Sequence, residues 1–270
     1  MPHASTNDIA TFYEEAGHGS PVVLIHGHSL NLRLWDAQLA PLVDAAYRVV
    51  RYDVRGHGRS EAPATGYTWQ NYSLDLRDLL DHLHVDAPAH LVGLSMGGGI
   101  ALQFAVDHPQ RVASLVLVDS TVCGFDYSQE YSQTVEELVQ AVRKDGPRAA
   151  LERVWLTHPL LAGIRRFPKR FQFVKSMILA YSARDYLDET EYPQPQWQVT
   201  DRLDEIRAPT LVLVGEQDLP DFRLMAEILA ANISTARLEV IPDAGHLLNL
   251  EQPQAFNEAL LRFLARHPPD

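Results

Sequence analysis

The sequence predicts an α/β fold: a doubly wound, mostly parallel sheet interrupted by one helical insertion. Two observations predict the sheet. Short apolar, β-branched runs recur along the 270 residues, and amphipathic helical patterns alternate with them. Parallel strands joined by crossover helices produce that alternation. A third observation predicts the insertion: residues 121–205 carry helical patterns and no convincing strand.

The strand candidates are VVLIHG (22–27), YRVVRYD (47–53), AHLVGL (89–94), SLVLVD (114–119), TLVLVG (210–215) and RLEVIPD (237–243). Near-continuous apolar runs of this kind suit strands covered on both faces. Helical periodicity marks SLDLRDLLDHLHV (73–85), GIALQFAVDH (99–108), FRLMAEILAA (222–231) and PQAFNEALLRFLARH (253–267), the last opening on a helix-starting proline. The expected division is a core of residues 1–120 and 206–270 with a helical cap, or lid, at 121–205. The insertion follows a strand's C-terminal end, the edge at which open α/β sheets bind ligands. It holds 11 of the 23 aromatic residues, so as a group they are candidates to wall an apolar pocket, Trp155, Tyr181 and Trp197 among them. A small helical lobe also needs large side chains for its own core.

Hydrophobic residues at 46% and charged residues at 21% are ordinary for a globular protein. The net charge of −12 has no basic cluster within it, so no nucleic-acid partner is expected. A single cysteine, Cys123, fits a reducing compartment. The start MPHASTNDIATFYEE lacks a basic stretch leading into an apolar one, and no run reaches 18 apolar residues. A cytoplasmic protein with no membrane partner is the expectation; oligomeric state is not legible.

The chemistry concentrates in HLVGLSMGGGIALQF (90–104), where Gly93, Gly97, Gly98 and Gly99 surround Ser95 between a strand and a helix. G-L-S-M-G matches G-x-S-x-G, a turn so sharp that the residues two before and two after the serine nearly collide. Gly98 suits close packing of the helix; Gly99 has no assigned reason. A phosphate-cradling loop would need a following Lys-Ser/Thr or G-x-G-x-x-G, and neither is present. A plain helix N-cap serine is the other reading.

A serine nucleophile needs a base, itself oriented by a carboxylate. GEQDLPD places Asp218 just past one strand, and DAGHLL places His246 past the next, 28 residues later. Ser95, Asp218 and His246 therefore follow successive strands in the order Ser…Asp…His. Asp221 and Asp119 are alternative acids. The oxyanion hole is expected from the backbone N–H groups of Met96 and of His28 in LIHGHSLNLRLW, with Ser29 second to His28. His26 and His28 form an H-x-H pair without a suitably spaced third ligand, so no metal is expected. In YDVRGHGRS (52–60), Gly56 and Gly58 suggest tight turns tied by Asp53 and Arg55, a buttress rather than a substrate contact.

Together LIHGHSLNLRLW, RYDVRGHGRSEAP, LVGLSMGGGIAL, PTLVLVGEQD and DAGHLLNLEQP resemble the signature blocks of the α/β-hydrolase superfamily, over about residues 20–265. The resemblance implies an eight-stranded, mostly parallel sheet with a helical cap, no cofactor, and a triad of Ser95, Asp218 and His246. Serine at 95 differs from the aspartate of the haloalkane dehalogenase and epoxide hydrolase branches. Several blocks are similar to 3-oxoadipate enol-lactonases and small carboxylesterases. The expected activity is hydrolysis of a small-molecule carboxylic ester or lactone through an acyl-enzyme on Ser95. Carbon–carbon hydrolysis of ring-cleavage products and a triad-bearing ligand receptor or signalling role are the alternatives.

Overall fold

The computed structural model describes residues 2–190 and 198–268. Eight strands form one sheet: β1 His3–Thr6, β2 Ile9–Ala16, β3 Ser20–Ile25, β4 Tyr47–Tyr52, β5 Ala89–Leu94, β6 Val112–Val118, β7 Thr210–Gly215 and β8 Ala236–Ile241. Their order is β1-β2-β4-β3-β5-β6-β7-β8, antiparallel at β1–β2 and β2–β4 and parallel from β4 to β8. The helices in chain order are α1 Asp36–Asp44, α2 Trp69–His82, α3 Met96–Asp107, α4 Gln129–Asp145, α5 Pro147–Arg153, α6 Ala162–Arg165, α7 Pro168–Ile178, α8 Pro220–Asn232, α9 Leu248–Glu251 and α10 Pro253–Leu264.

The central strands are buried because both faces are covered. Every residue of β5 and β7 is inaccessible, as their unbroken apolar runs require. β8 departs from that expectation: five of its six residues are partly or fully exposed, because it is an edge strand with one neighbour. β1 and β2 are strands the apolar-run criterion missed. They form a hairpin through Asn7 and Asp8, both at positive φ, the left-handed geometry a two-residue turn needs. Their polar–apolar alternation is the weaker signal of an edge pair.

Helix α3 is buried along Met96–Val106, with Ile100, Leu102 and Phe104 fully enclosed. Each such side chain contributes roughly 2 kcal/mol of burial. The helix carrying Ser95 at its N-terminus is thus the most enclosed of the fold's longer helices.

β3 lies between β4 and β5: the chain runs from β3 to β4 on one side and then crosses back over β3 to β5 on the other. Such a switch point opens a crevice at the strands' C-terminal ends. The loops after β3 and β5, holding His28 and Ser95, meet there. Between β6 and β7 the described residues hold α4 to α7 and 3-10 turns at Trp155–Thr157, Pro159–Leu161, Asp185–Leu187 and Val199–Glu205, and no strand. Among the described residues no helix is long and apolar enough to cross a membrane.

Candidate active site

Ser95 occupies a strained turn, with φ 54° and ψ −117°, between β5 and α3. Few non-glycine residues adopt that geometry, and it persists only where neighbours enforce it. Here Ser95 N–H donates to Val118 O at 2.9 Å, while Ser95 O accepts from Gly98 N at 2.9 Å and Thr121 N at 3.1 Å. Side chains at Gly93 or Gly97 would overlap the carbonyls of Gly97 and Ile25. Gly99 now has a reason as well: a Cβ there would stand 2.7 Å from the Trp69 ring and from Thr121 Oγ1.

Asp218 follows β7 and His246 follows β8. His246 Nδ1 donates to Asp218 Oδ2 at 2.9 Å, and both side chains are almost fully buried. The other Asp218 oxygen accepts the Leu219 N–H at 2.7 Å. The edge of Phe222 packs on the imidazole, centroids 4.3 Å apart. Ser95 Oγ and His246 Nε2 bond to no described residue and open on one cavity. Such contacts are often loose in resting sites and tighten around substrate.

Asp119, an alternative acid by sequence, ends β6 behind this pair. One oxygen accepts the Gly215 N–H at 2.9 Å, and the other has no donor among the described residues. Burial and the charge of Asp218 push its carboxyl well above the usual carboxylate range. Its surroundings therefore disfavour the charged form, while Asp218 carries the imidazole bond. Asp221 instead accepts from Ser128 N and Oγ at 3.2 and 2.7 Å. Asp119, Asp218 and His246 are also the metal-capable cluster among the described residues, their donor atoms within 4.8 Å of one another. The Nδ1–Oδ2 bond already occupies the facing atoms of two of them.

Sequence reasoning missed Glu251. Its buried carboxylate accepts from Gly245 N at 2.8 Å and Leu247 N at 3.2 Å, bracketing His246 on both sides. An acid within the apolar stretch LLNLEQP was its signal.

Met96 and His28 present N–H groups that bond to no described residue, at the N-terminus of α3 and in the loop after β3. The α3 dipole adds positive potential where Met96 sits. Ser29, at φ 60°, is held from both sides: its N–H donates to His57 Nε2 at 3.1 Å, and its Oγ accepts from Trp155 Nε1 at 2.8 Å. His57 in turn donates through Nδ1 to Arg55 O at 2.9 Å. The 52–60 loop reaches the site through this histidine, which the sequence reading did not single out. Elsewhere the loop is braced from within and from its neighbours: Asp53 accepts from Arg59 N at 2.7 Å and from Leu32 N at 2.8 Å, and Arg55 pairs with Asp75 of α2 through bonds of 2.9 and 2.6 Å.

The cavity at this point has a volume of about 260 Å³, at the small end for ligand sites. Ser95, His246, His28, Met96 and Trp155 all line it. Tyr181 departs from the pocket role expected of it. It lies behind the wall, stacked on His57 at 4.4 Å, with its hydroxyl on Asp185 and within 3.0 Å of His28 Nε2. Asp185 is the lining residue, and its Oδ2 accepts from His28 Nε2 at 2.9 Å. Burial opposes its ionisation, yet the charge and hydrogen bond of His28, with the Tyr181 hydroxyl, hold its carboxyl down at about 2. Trp197 lies outside the described residues.

Comparison with known proteins gives the geometry its context. The chain is 31% identical over 268 residues to 3-oxoadipate enol-lactonase 2 of Acinetobacter baylyi, covering 97% of this chain and 96% of that protein. A solved thermophilic esterase from Thermogutta terrifontis superposes with a TM-score of 0.85 at 31% identity, covering 99% and 98% of the two chains. A solved N-acyl homoserine lactone degrading enzyme gives a TM-score of 0.78 at 33% identity, covering 97% and 100%. The model of the alpha/beta hydrolase fold family matches residues 20–253. With an eight-stranded sheet, a serine at the sharp turn after β5 and that match over most of its length, the chain belongs to the α/β-hydrolase fold family.

Proposed function

We propose that the protein is a serine hydrolase that cleaves a small carboxylic ester or lactone through an acyl-enzyme on Ser95. The observation that carries this reading is the buried 2.9 Å bond between His246 Nδ1 and Asp218 Oδ2, with the free ring nitrogen and Ser95 opening on one cavity. Asp218 fixes the tautomer that leaves Nε2 as base and stabilises the imidazolium formed in the reaction. His246 takes the Ser95 proton as Oγ attacks the carbonyl carbon. The oxyanion of the tetrahedral intermediate meets the Met96 and His28 N–H groups. On collapse the carbon–oxygen bond to the leaving alcohol breaks, and that alcohol receives the proton from His246. Water, deprotonated by His246, then attacks the ester on Ser95 and releases the acid and the serine hydroxyl.

In this reading residues 121–205 act as a cap whose side chains, Trp155 and Asp185 among them, close the cavity over the substrate. The esterase and lactone-degrading relatives support the bond type, and the small cavity favours short acyl groups. Replacing Ser95 by Ala removes the nucleophile from a site whose other groups remain. The expected result is a loss of at least about 1,000-fold in kcat on short p-nitrophenyl esters with an unchanged circular dichroism spectrum. A fluorophosphonate probe should label the parent protein and not the Ser95→Ala variant. Hydrolysis by that variant at the parent rate would refute the assignment.

A further inference from the structure

The cavity's charge pattern says what kind of acyl group it accepts. Among the described residues its lining contains no lysine or arginine. The one carboxylate on the wall away from the Asp218–His246 pair is Asp185, ionised and bound to His28. An adjoining depression of about 170 Å³, which shares Tyr131 with the cavity, is lined by Glu130 and Asp221 and again by no lysine or arginine. His158 in that depression is held neutral at ordinary pH, its value lowered to about 4 by burial and by its histidine and arginine neighbours. Arg165, one of those neighbours, already donates to the Leu156 and His158 carbonyls at 3.0 and 3.1 Å.

What the wall offers instead is neutral hydrogen bonding. Tyr127, Tyr131 and Tyr186 line the cavity, and their hydroxyls bond to no described residue. Burial keeps all three protonated, so they are uncharged donors for ester, lactone, keto or amide oxygens. A substrate carboxylate placed here would lose its hydration and meet, among the described lining residues, no cationic partner that is not already engaged, since His28 is bound to Asp185. The protein's net charge of −12 adds a field that disfavours anion entry.

We infer that this hydrolase selects uncharged, largely apolar acyl or lactone substrates and rejects those whose acyl portion carries a carboxylate. The inference rests on the reading of Ser95 as the acylated residue. It separates this site from enzymes that need a cationic side chain for an acidic substrate. It names Asp185 as the residue that keeps His28 engaged and so withheld from a substrate carboxylate.

The test compares p-nitrophenyl pentanoate with mono-p-nitrophenyl glutarate, which have the same chain length and differ by a terminal carboxylate. Desolvating a carboxylate without a partner predicts roughly a 30-fold lower kcat/KM for the glutarate. Raising ionic strength from 0.02 to 0.5 M should narrow the ratio through the glutarate arm alone. Asp185→Asn should narrow it by about tenfold or more, whatever its effect on absolute rates, because the ratio cancels a general loss. Comparable kcat/KM for the two esters, with fluorophosphonate labelling of Ser95 intact, would overturn the charge selection and leave the hydrolase reading standing. A ratio unmoved by Asp185→Asn would overturn the role of that residue. Absence of both labelling and pentanoate hydrolysis would overturn the hydrolase reading and this inference with it.

Discussion

Glu251 shows how one side chain can set the position of another without touching substrate. Its two oxygens hold the N–H groups on either side of His246, so the histidine's backbone has little freedom. Arg166 Nη2, 3.5 Å from the same carboxylate and 2.6 Å from Asp243 O, anchors the helical segment to this loop. In Glu251→Gln the shape is retained, but one oxygen becomes an amino group that cannot accept. One buried N–H then loses its partner, at about 1–3 kcal/mol. The expected outcome is a fall in kcat of roughly tenfold with KM changed less than twofold, read from steady-state kinetics on a p-nitrophenyl ester. A loss of stability in urea with kcat untouched would reduce Glu251 to a structural acid. The residue was not singled out in the sequence because its role depends on facing two N–H groups, which no local pattern encodes. Ser95 was legible because its glycines answer to crowding within five consecutive residues.

At the scale of elements, the helical segment and the sheet loops meet through specific polar contacts. Trp155 reaches Ser29, Ser182 Oγ donates to Gly56 O at 2.5 Å, and Asp185 binds His28. The Asp185 pair is the one whose contribution can be followed by pH. Its carboxyl is lowered from 3.8 to about 2, so the stabilisation is fully present above about pH 4 and disappears as pH falls toward 2. The size of the shift corresponds to about 2 kcal/mol. Asp185→Asn should therefore lower unfolding stability by about that amount at pH 7, and the two proteins should converge near pH 2 in denaturant titrations. An equal difference at pH 7 and pH 2 would place the effect elsewhere. The helical character of this segment was legible from periodicity. Which of its aromatics face the cavity was not: Trp155 does, whereas Tyr181 stacks behind the wall, since both lie outside the α-helices, where periodicity says nothing of side-chain direction.

For the whole molecule, the response to acid follows from its buried imidazoles. His26 accepts the Val54 N–H at 2.9 Å through Nε2 and donates to Gly27 O through Nδ1, so the neutral form is built into the loop after β3. Burial lowers His26, His90 and His158 to about 4, and lowers His57 and His108 as well. As pH falls from 6.5 toward 4, the unfolded chain takes up protons at these positions before the native protein does. Stability is then fully present above 6.5 and declines as pH falls toward 4. Asp53, Asp75 and Asp119, held above the usual carboxylate range, act in the opposite direction, but five imidazoles outnumber three carboxyls. The urea midpoint is expected to fall steadily from pH 6.5 to 4.5. A midpoint that rises over that interval would mean the carboxyls dominate.

By itself the sequence determined the class of fold, the strand-to-helix turn at Ser95 and the strand-end positions of Asp218 and His246. These depend on short contiguous patterns: apolar runs, glycines at a crowded turn, acids and histidines just past strands. It left out the N-terminal hairpin and the exposure of β8, because an edge strand's environment is set by how many neighbours it has. Only the tertiary structure decided that Asp218, not Asp119, binds the imidazole, that Glu251 brackets His246, and that Asp185 meets His28 across 157 residues of chain. Those contacts join loops from different strands and helices, and their geometry exists only once the sheet has brought its C-terminal edges together.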